Sequence, residues 1–583
     1  MSLNQRREFS LREKEIIEVL MADNSDDEDC LLLDEADQTF LAQDLDAGVS
    51  TVKIEPCSTP HEQDVMQNQS PSAGARSFNW RKNRYLPHNF PEEQEYDFGK
   101  VLIADINRTS DEELTPVNIF DKVANFENLI DKIIVPESIR YAEQNGRSFT
   151  ISNEEAKAFF GMNYVMSYHF LPTFRNYWST DSDMGVPYIA NVMTISRFEE
   201  IRRNLHFSDN SKEPRRTDIN YDRAYKIRPV LEHFNRAFQS SMTNTKTQAI
   251  DKHMIKFKGH NIMRQYVKNK PIKWGFKLWC RADSSTGYLF QFDLYTGRKN
   301  SGPKTRLGES VVLQLCENLQ GIGCELYFGN FFNSPNLQYK LKKLNIKACG
   351  TVRSNRKYMP KQVPADKNMK KGDIFTTSSN GISFIKWMDN KAVVLLTNFL
   401  SPIPTTTVKM RTRGSGEKMN VTCPEVVVKY NRNMGGVELM DHKKACYEVD
   451  RKAKIKYYLR LIFDMMDIAM NNSYIIYCKL HEAKRIEGSL ISLLEFRQAV
   501  ARSLVGRFTS RQRSLKSVVM TKKRIYLAYK HGTPSHIMKK VTNRKRCAQC
   551  AKKRVENRTY NTCSTCNVHL CYTSERNCFA EYH

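Results

Sequence analysis

The residues best spaced for chemistry crowd the last 37 positions. Cys547, Cys550, Cys563, Cys566, Cys571, Cys578 and His583 follow the pattern C-x2-C-x12-C-x2-C-x4-C-x6-C-x4-H. Two C-x-x-C knuckles present thiolates from tight turns, and tetrahedral Zn²⁺ takes four such sulfur or nitrogen ligands. Seven ligands fall one short of two closed sites, and His569 is the candidate eighth. So polar a tail has little else to fold around, which makes the zinc structural. The alternative is a thioredoxin-like redox pair, which needs only one knuckle. The other nine of the 15 cysteines, from Cys30 to Cys478, show no pattern. Such clustering indicates metal binding rather than a disulfide framework.

A second group is acidic and basic. Asp251 lies within the apolar run TQAIDKHMIKF. It suits either a metal-binding carboxylate or an ordinary structural Asp. Arg353, Arg356, Lys357, Lys361, Lys367, Lys370 and Lys371 crowd one stretch. Arg451, Lys452, Lys454 and Lys456 precede Tyr457 and Tyr458, an arrangement that suits phosphate contacts beside stacked bases. A solvated basic face is the plainer reading. Lys539-Lys540 with Arg544-Lys545-Arg546 reads as a nuclear localisation signal or as further phosphate contacts.

Charge supports a polyanion partner. The 583 residues carry a net +26, yet residues 1–75 hold 17 acidic against 5 basic side chains, leaving +38 on the rest. Neutralising phosphates with Lys and Arg releases counterions, so nucleic acid is the expected partner, with generic basic solubility the alternative. No apolar run reaches the roughly 18 to 20 residues that span a bilayer, and the charged N-terminus does not read as a secretion signal. Neither a membrane nor a small-molecule substrate is expected.

The elements that must position these groups change period along the chain. Residues 20 to about 95 combine acidity with Ser, Pro and Gln and read as disordered, either a leash or a partner-binding segment. From 113 to 246 apolar residues recur at helical spacing, with Asn153 as the N-cap of a helix that Glu154 and Glu155 begin. At Thr247 the period becomes two. The order then predicted is three strands, helix, strand, helix, strand, which fits an RNase H-like mixed sheet. Turns in 356–418 suggest a small insertion, and Ile455–Cys478 is a long apolar helix.

TQAIDKHMIKFKGH, YVKNKPIKWGFKLWC, CELYFGNFFNSPNL, KACGTVRSNRKYMP, KYNRNMGGVELMDHKKACY and NNSYIIY occur in order. They resemble the successive signatures of piggyBac transposases, and the cysteine tail resembles that family's zinc-binding domain. The similarity runs over about 113–583. It implies that Asp251 is the first catalytic carboxylate, in a site where two Mg²⁺ ions activate the attacking oxygen and stabilise the leaving one. The second carboxylate of the family pattern is replaced by Gly329, the third Asp by Glu438, and a nearby fourth acid is kept as Asp441. Lys252 follows Asp251 where the family commonly has Glu. Glu325, four strand residues from Gly329, is about 13 Å away and does not substitute.

These readings give an α+β multidomain chain. Its expected parts are a disordered tail (1–95), a helical dimerisation and DNA-binding domain (96–246 and 448–530), and an RNase H-like domain (247–355 and 419–447). The insertion (356–418), a basic linker (531–546) and a cross-brace-like zinc domain (547–583) complete them. The expected function is that of a domesticated, nuclear, homodimeric, sequence-specific DNA-binding protein, with strand transfer lost at Gly329. Its rivals are an active transposase using Asp251, Glu438 and Asp441 with Mg²⁺, and a zinc-dependent protein-interaction module.

Overall fold

The computed structural model describes residues 78–82, 90, 95–103, 114–267, 270–297, 307–411, 418–449, 456–510 and 536–583. The acidic tail, apart from its last few residues, and Arg451, Lys452 and Lys454 lie outside these. Two compact units divide at Ser510.

A ten-stranded sheet forms the centre of the first unit. It comprises β1 (Arg81–Lys82), β2 (Thr247–Lys256), β3 (Gln265–Tyr266), β4 (Trp274–Asp283) and β5 (Leu289–Leu294). β6 (Glu325–Phe328), β7 (Lys347–Thr351), β8 (Ile374–Ser379), β9 (Ile382–Met388) and β10 (Ala392–Thr397) complete it. The order is β1-β8-β9-β10-β7-β6-β2-β4-β3, with β5 also on β4. β6 runs parallel to both β2 and β7, whereas β4 runs antiparallel to β2. Strands, crossover helix, strand, helix, strand is the RNase H-like order predicted.

Burial dictates this layering. Phe328, Leu326 and Ile250 close one sheet face against α4 (Leu307–Leu315) and α5 (Pro335–Lys343). The predicted insertion takes another form. β10 pairs antiparallel with β7, so β8–β10 extend the central sheet, because their buried runs continue its apolar surface. The hairpin of β11 (Thr405–Arg411) and β12 (Lys418–Pro424) is a separate two-stranded sheet.

The split helical part is built from α1 (Pro116–Ala124), α2 (Asn153–Tyr168), α3 (Arg228–Ser241), α8 (Tyr457–Glu482) and α9 (Leu493–Val505), among shorter helices. α1 packs on α8 and α2 on α9, so segments far apart in sequence share one core. Helix α2 starts one residue earlier than expected: the Ser152 side chain accepts from the Glu155 amide at 3.1 Å, as an N-cap does. Among the described residues no helix is long and apolar enough to cross a membrane.

Two helices join sheet to bundle, α6 (Glu425–Asn433) and α7 (Gly436–Ala445). A Cβ at Gly436 would lie 2.5 Å from the Asp283 carbonyl oxygen, so glycine is required for α7 to sit on the β4–β5 turn. Lys443 Nζ donates to Thr286 O at 2.8 Å and fastens the same contact.

In the second unit β13 (Met538–Arg546) pairs antiparallel with β14 (Arg558–Cys563). Residues 538–546 of the predicted basic linker (531–546) therefore form a strand of the cysteine-rich domain, which includes His536 rather than starting at Cys547, and residues 531–535 lie outside the described ones.

Candidate functional site

Strand β2 carries Asp251 and, two residues on, His253 on the same face. Parallel pairing of Ile250 with Phe328 ends the β2–β6 ladder, so Asp251 and Gly329 follow it side by side. This is where two carboxylates would have to lie to share cations. A Cβ at Gly329 would meet only Met434 Cε, at 3.7 Å, so the backbone there is bare and the space beside it open. Glu325 stands at the far end of β6, paired with Thr247, and bonds to the Tyr327 hydroxyl.

A lysine takes up the surviving carboxylate. Lys270 Nζ lies 3.7 Å from Asp251 Oδ2 in a half-buried pair. Burial raises the Asp251 pKa, and Lys270 opposes that shift. The sequence reading assigned the neighbouring cation to Lys252, but residues next to one another on a strand point to opposite faces. Lys252 Nζ instead lies 5.7 Å from the Phe331 ring centroid.

The other two acids are parted by helix geometry. Glu438 is exposed on α7, while Asp441 turns inward to His253 Nδ1 at 2.6 Å. His253 Nε2 lies 2.8 Å from Asp464 Oδ2 on α8, and Lys444 Nζ donates to Asp464 Oδ1 at 2.8 Å. Burial alone would push the imidazole pKa down, but Asp464 and Asp441 override it and raise it to about 10. Asp441 is thus engaged by an imidazolium. Among the described residues, no group of three or more close Asp, Glu, His or Cys ligand atoms includes Asp251, Glu438 or Asp441. The residues present do not fit a two-Mg²⁺ site.

His253 and Lys270 were not singled out in the sequence. Period-two alternation from Asp251 is the signal that could have found His253, whereas no local pattern encodes the contact of Lys270 with Asp251.

The expected DNA-contacting residues divide. Arg353 and Lys357 are exposed. Arg356 is partly buried and donates to the carbonyls of Asn330 at 2.9 Å and Phe331 at 2.5 Å, pinning the loop after Gly329. Tyr458 is fully buried in the helical core, and Lys456 donates to the Tyr141 hydroxyl at 2.9 Å and to Arg203 O at 3.2 Å. Neither faces a ligand as the sequence reading expected, because the first turns of α8 are buried on nearly every side. Tyr457 is partly buried, 6.2 Å from the Phe276 ring.

In the tail, Cys547, Cys550, Cys571 and Cys578 converge, as do His536, Cys563, Cys566 and His583, with the ligand atoms of each set within 4.8 Å of one another. The Cys550–Cys578 and Cys550–Cys571 Sγ separations are 3.5 and 3.9 Å. The edge of a tetrahedron with Zn–S bonds of about 2.3 Å is about 3.8 Å, so four thiolates here fit zinc. His536 Nδ1 lies 3.4 Å from Cys563 Sγ and 3.2 Å from Cys566 Sγ. The eighth ligand position therefore falls to His536, not to His569, whose carbonyl accepts from Ala548 and whose ring stands outside both sets. Pairing of Met538 with Cys563 brings His536 there, a contact that ligand spacing after Cys547 could not reveal. The two sets alternate along the chain in the manner of a cross-brace. The side chains of Lys539, Lys540, Arg544, Lys545 and Arg546 on β13 are exposed.

Residues 115–474 match the Transposase IS4 family. PiggyBac transposable element-derived protein 2 of Homo sapiens is 30% identical over 419 residues, 70% of this chain and 68% of that protein. PiggyBac transposable element-derived protein 3 of Homo sapiens is 27% identical over 479 residues, covering 80% and 76%. A piggyBac transposase solved by cryo-EM as a synaptic complex with hairpin DNA superposes with TM-score 0.61 at 22% identity, over 80% of this chain and 96% of that one. With its IS4-type transposase domain spanning most of the folded region, the chain belongs to the family of piggyBac transposases and piggyBac transposable element-derived proteins.

Proposed function

We propose that this chain is a nuclear, sequence-specific DNA-binding protein descended from a transposase, in which strand transfer has been lost. The observation that carries this reading is the placement of Asp251 beside a bare Gly329, just past the last β2–β6 pair, while Lys270 sits on the remaining carboxylate. A two-metal site needs a carboxylate shared between cations, and glycine supplies none. DNA binding draws support from the +38 body, from exposed Arg353 and Lys357, and from the basic face of β13. The solved relative's complex with hairpin DNA favours the same partner.

Two zinc ions, one per ligand set, would hold the tail so that β13 presents its cations; the chemistry zinc supplies there is structural. The cations of β13 also suit nuclear import. A homodimer follows from the family resemblance, and light scattering of the full chain measures it.

Two assays test the reading. Full-length protein should bind duplex DNA with an affinity that falls steeply with salt. In cells carrying a matched donor element it should give no excision above that of Asp251→Ala. Excision abolished by Asp251→Ala overturns the loss of activity. Absence of any salt-dependent DNA affinity overturns the DNA reading and favours a protein-interaction module.

A further inference from the structure

The paired ends of β3 and β4, Tyr266 and Trp274, expose an aromatic surface that neither the carboxylate site nor the zinc tail uses. Tyr266 and Trp274 are 53% and 48% exposed, with ring centroids 4.8 Å apart. Of the five tryptophans, only Trp274 is exposed. Arg264 lies 4.6 Å from the Trp274 ring and is itself held in place, donating to the carbonyls of Gly259 at 2.8 Å and Lys258 at 3.2 Å. Residues 257–275 contain five Lys or Arg and no Asp or Glu. Two adjacent, half-exposed rings set among cations suit a partner that combines phosphates with a π-face.

We propose that Tyr266 and Trp274 form a stacking platform for an unpaired base of a single-stranded DNA extension, with Arg264, Lys258 and Lys273 holding its phosphates. The β3–β4 connection carries Lys270 to Asp251, so a strand seated on the platform runs toward the carboxylate site. Cys280 pairs with Asp251 and Trp274 lies six residues before it on β4, a separation of about 20 Å. At about 3.4 Å per stacked nucleotide, roughly six nucleotides span that distance. The inference rests on the DNA-binding reading and narrows it to the form of DNA recognised.

The full chain is titrated with two fluorescent probes that share one duplex, one blunt and one with a single-stranded extension of about six nucleotides. The wild type should bind the extended probe more tightly. That preference should fall roughly 5- to 150-fold in Trp274→Ala, the range measured for losing a stacked base, and survive in Trp274→Phe. Blunt-duplex affinity should stay within about twofold in both variants, which separates lost stacking from misfolding. Quenching of intrinsic fluorescence by the extended probe should vanish in Trp274→Phe. Equal binding of the two probes by the wild type overturns the inference while leaving duplex binding intact, as expected if the platform takes a protein segment. A preference unchanged in Trp274→Ala and Tyr266→Ala also overturns it. Failure of both probes to bind the wild type overturns the DNA reading beneath it.

Discussion

His253 and Asp441 approach to 2.6 Å across the gap between β2 and α7, with Asp464 completing the bridge on the far side of the imidazole at 2.8 Å. The groups facing this ring are Asp441, Asp464 with its Lys444 partner, and the buried Cys280 thiol, whose pKa burial pushes up. The folded ring titrates at about 10 against 6.5 ordinarily, so its contribution to stability is fully present below pH 6.5 and is lost as pH rises through about 10. Between those limits the folded state holds a proton that the unfolded chain has released, costing about 1.4 kcal/mol per pH unit. Urea midpoints measured from pH 7 to 9 should fall accordingly, and His253→Gln should flatten the slope while lowering stability at pH 7. A wild-type midpoint constant over that window would refute the assignment.

Restoring the missing carboxylate tests the site directly. Gly329→Asp places a side chain in open space, so steric cost should be slight. It also sets a second acid beside Asp251. Without divalent cation the variant should therefore lose stability, and Mn²⁺ should raise its melting temperature more than that of the wild type. Adding Lys270→Ala, which removes the competing cation, should enlarge the Mn²⁺ effect. No Mn²⁺-dependent shift in either variant would show that the surrounding geometry, not the one residue, has been lost.

Metal content distinguishes the two tail histidines. Purified chain and His569→Ala should each carry two zinc ions, whereas His536→Ala should lose zinc, as read by elemental analysis. Equal loss in both variants would contradict the ligand set.

Residues expected to touch DNA should separate by burial. Tyr458→Ala empties a core position and should cost about 3 to 5 kcal/mol of stability, leaving the salt dependence of DNA affinity unchanged in the folded fraction. Lys539→Ala with Lys540→Ala removes two exposed cations and should reduce the logarithmic salt slope by about 1.8 without loss of folding. A slope altered by Tyr458→Phe, or unmoved by the double change, would reverse this division.

The sequence was most legible where the period of apolar residues decided the element. The change at Thr247 located β2, and the run of strands and helices after it matched the observed sheet. The resemblance put Asp251 on the first strand and Gly329 at a later one, and in the structure both follow the last β2–β6 pair, Ile250 with Phe328. Contacts between segments distant in sequence were not legible. Lys456 and Tyr458 look like a basic-aromatic patch in sequence, yet tertiary burial against Tyr141 makes them core. His536 lies outside the cysteine run, and only the β13–β14 register brings it to Cys563. Lys270 reaches Asp251 through a reversal of the chain that no local pattern encodes.

The interleaving of the two ligand sets in the tail carries a consequence for how that domain is assembled. Cys563 and Cys566, which belong with His536 and His583, lie between the Cys547–Cys550 and Cys571–Cys578 halves of the other set. Each loop is thus tied at both ends by different knots, like lacing drawn through alternate eyelets. Slackening one knot frees a span that the other needs taut, so the domain should come undone as a whole, and a chain short of zinc should divide between fully laced and fully open molecules.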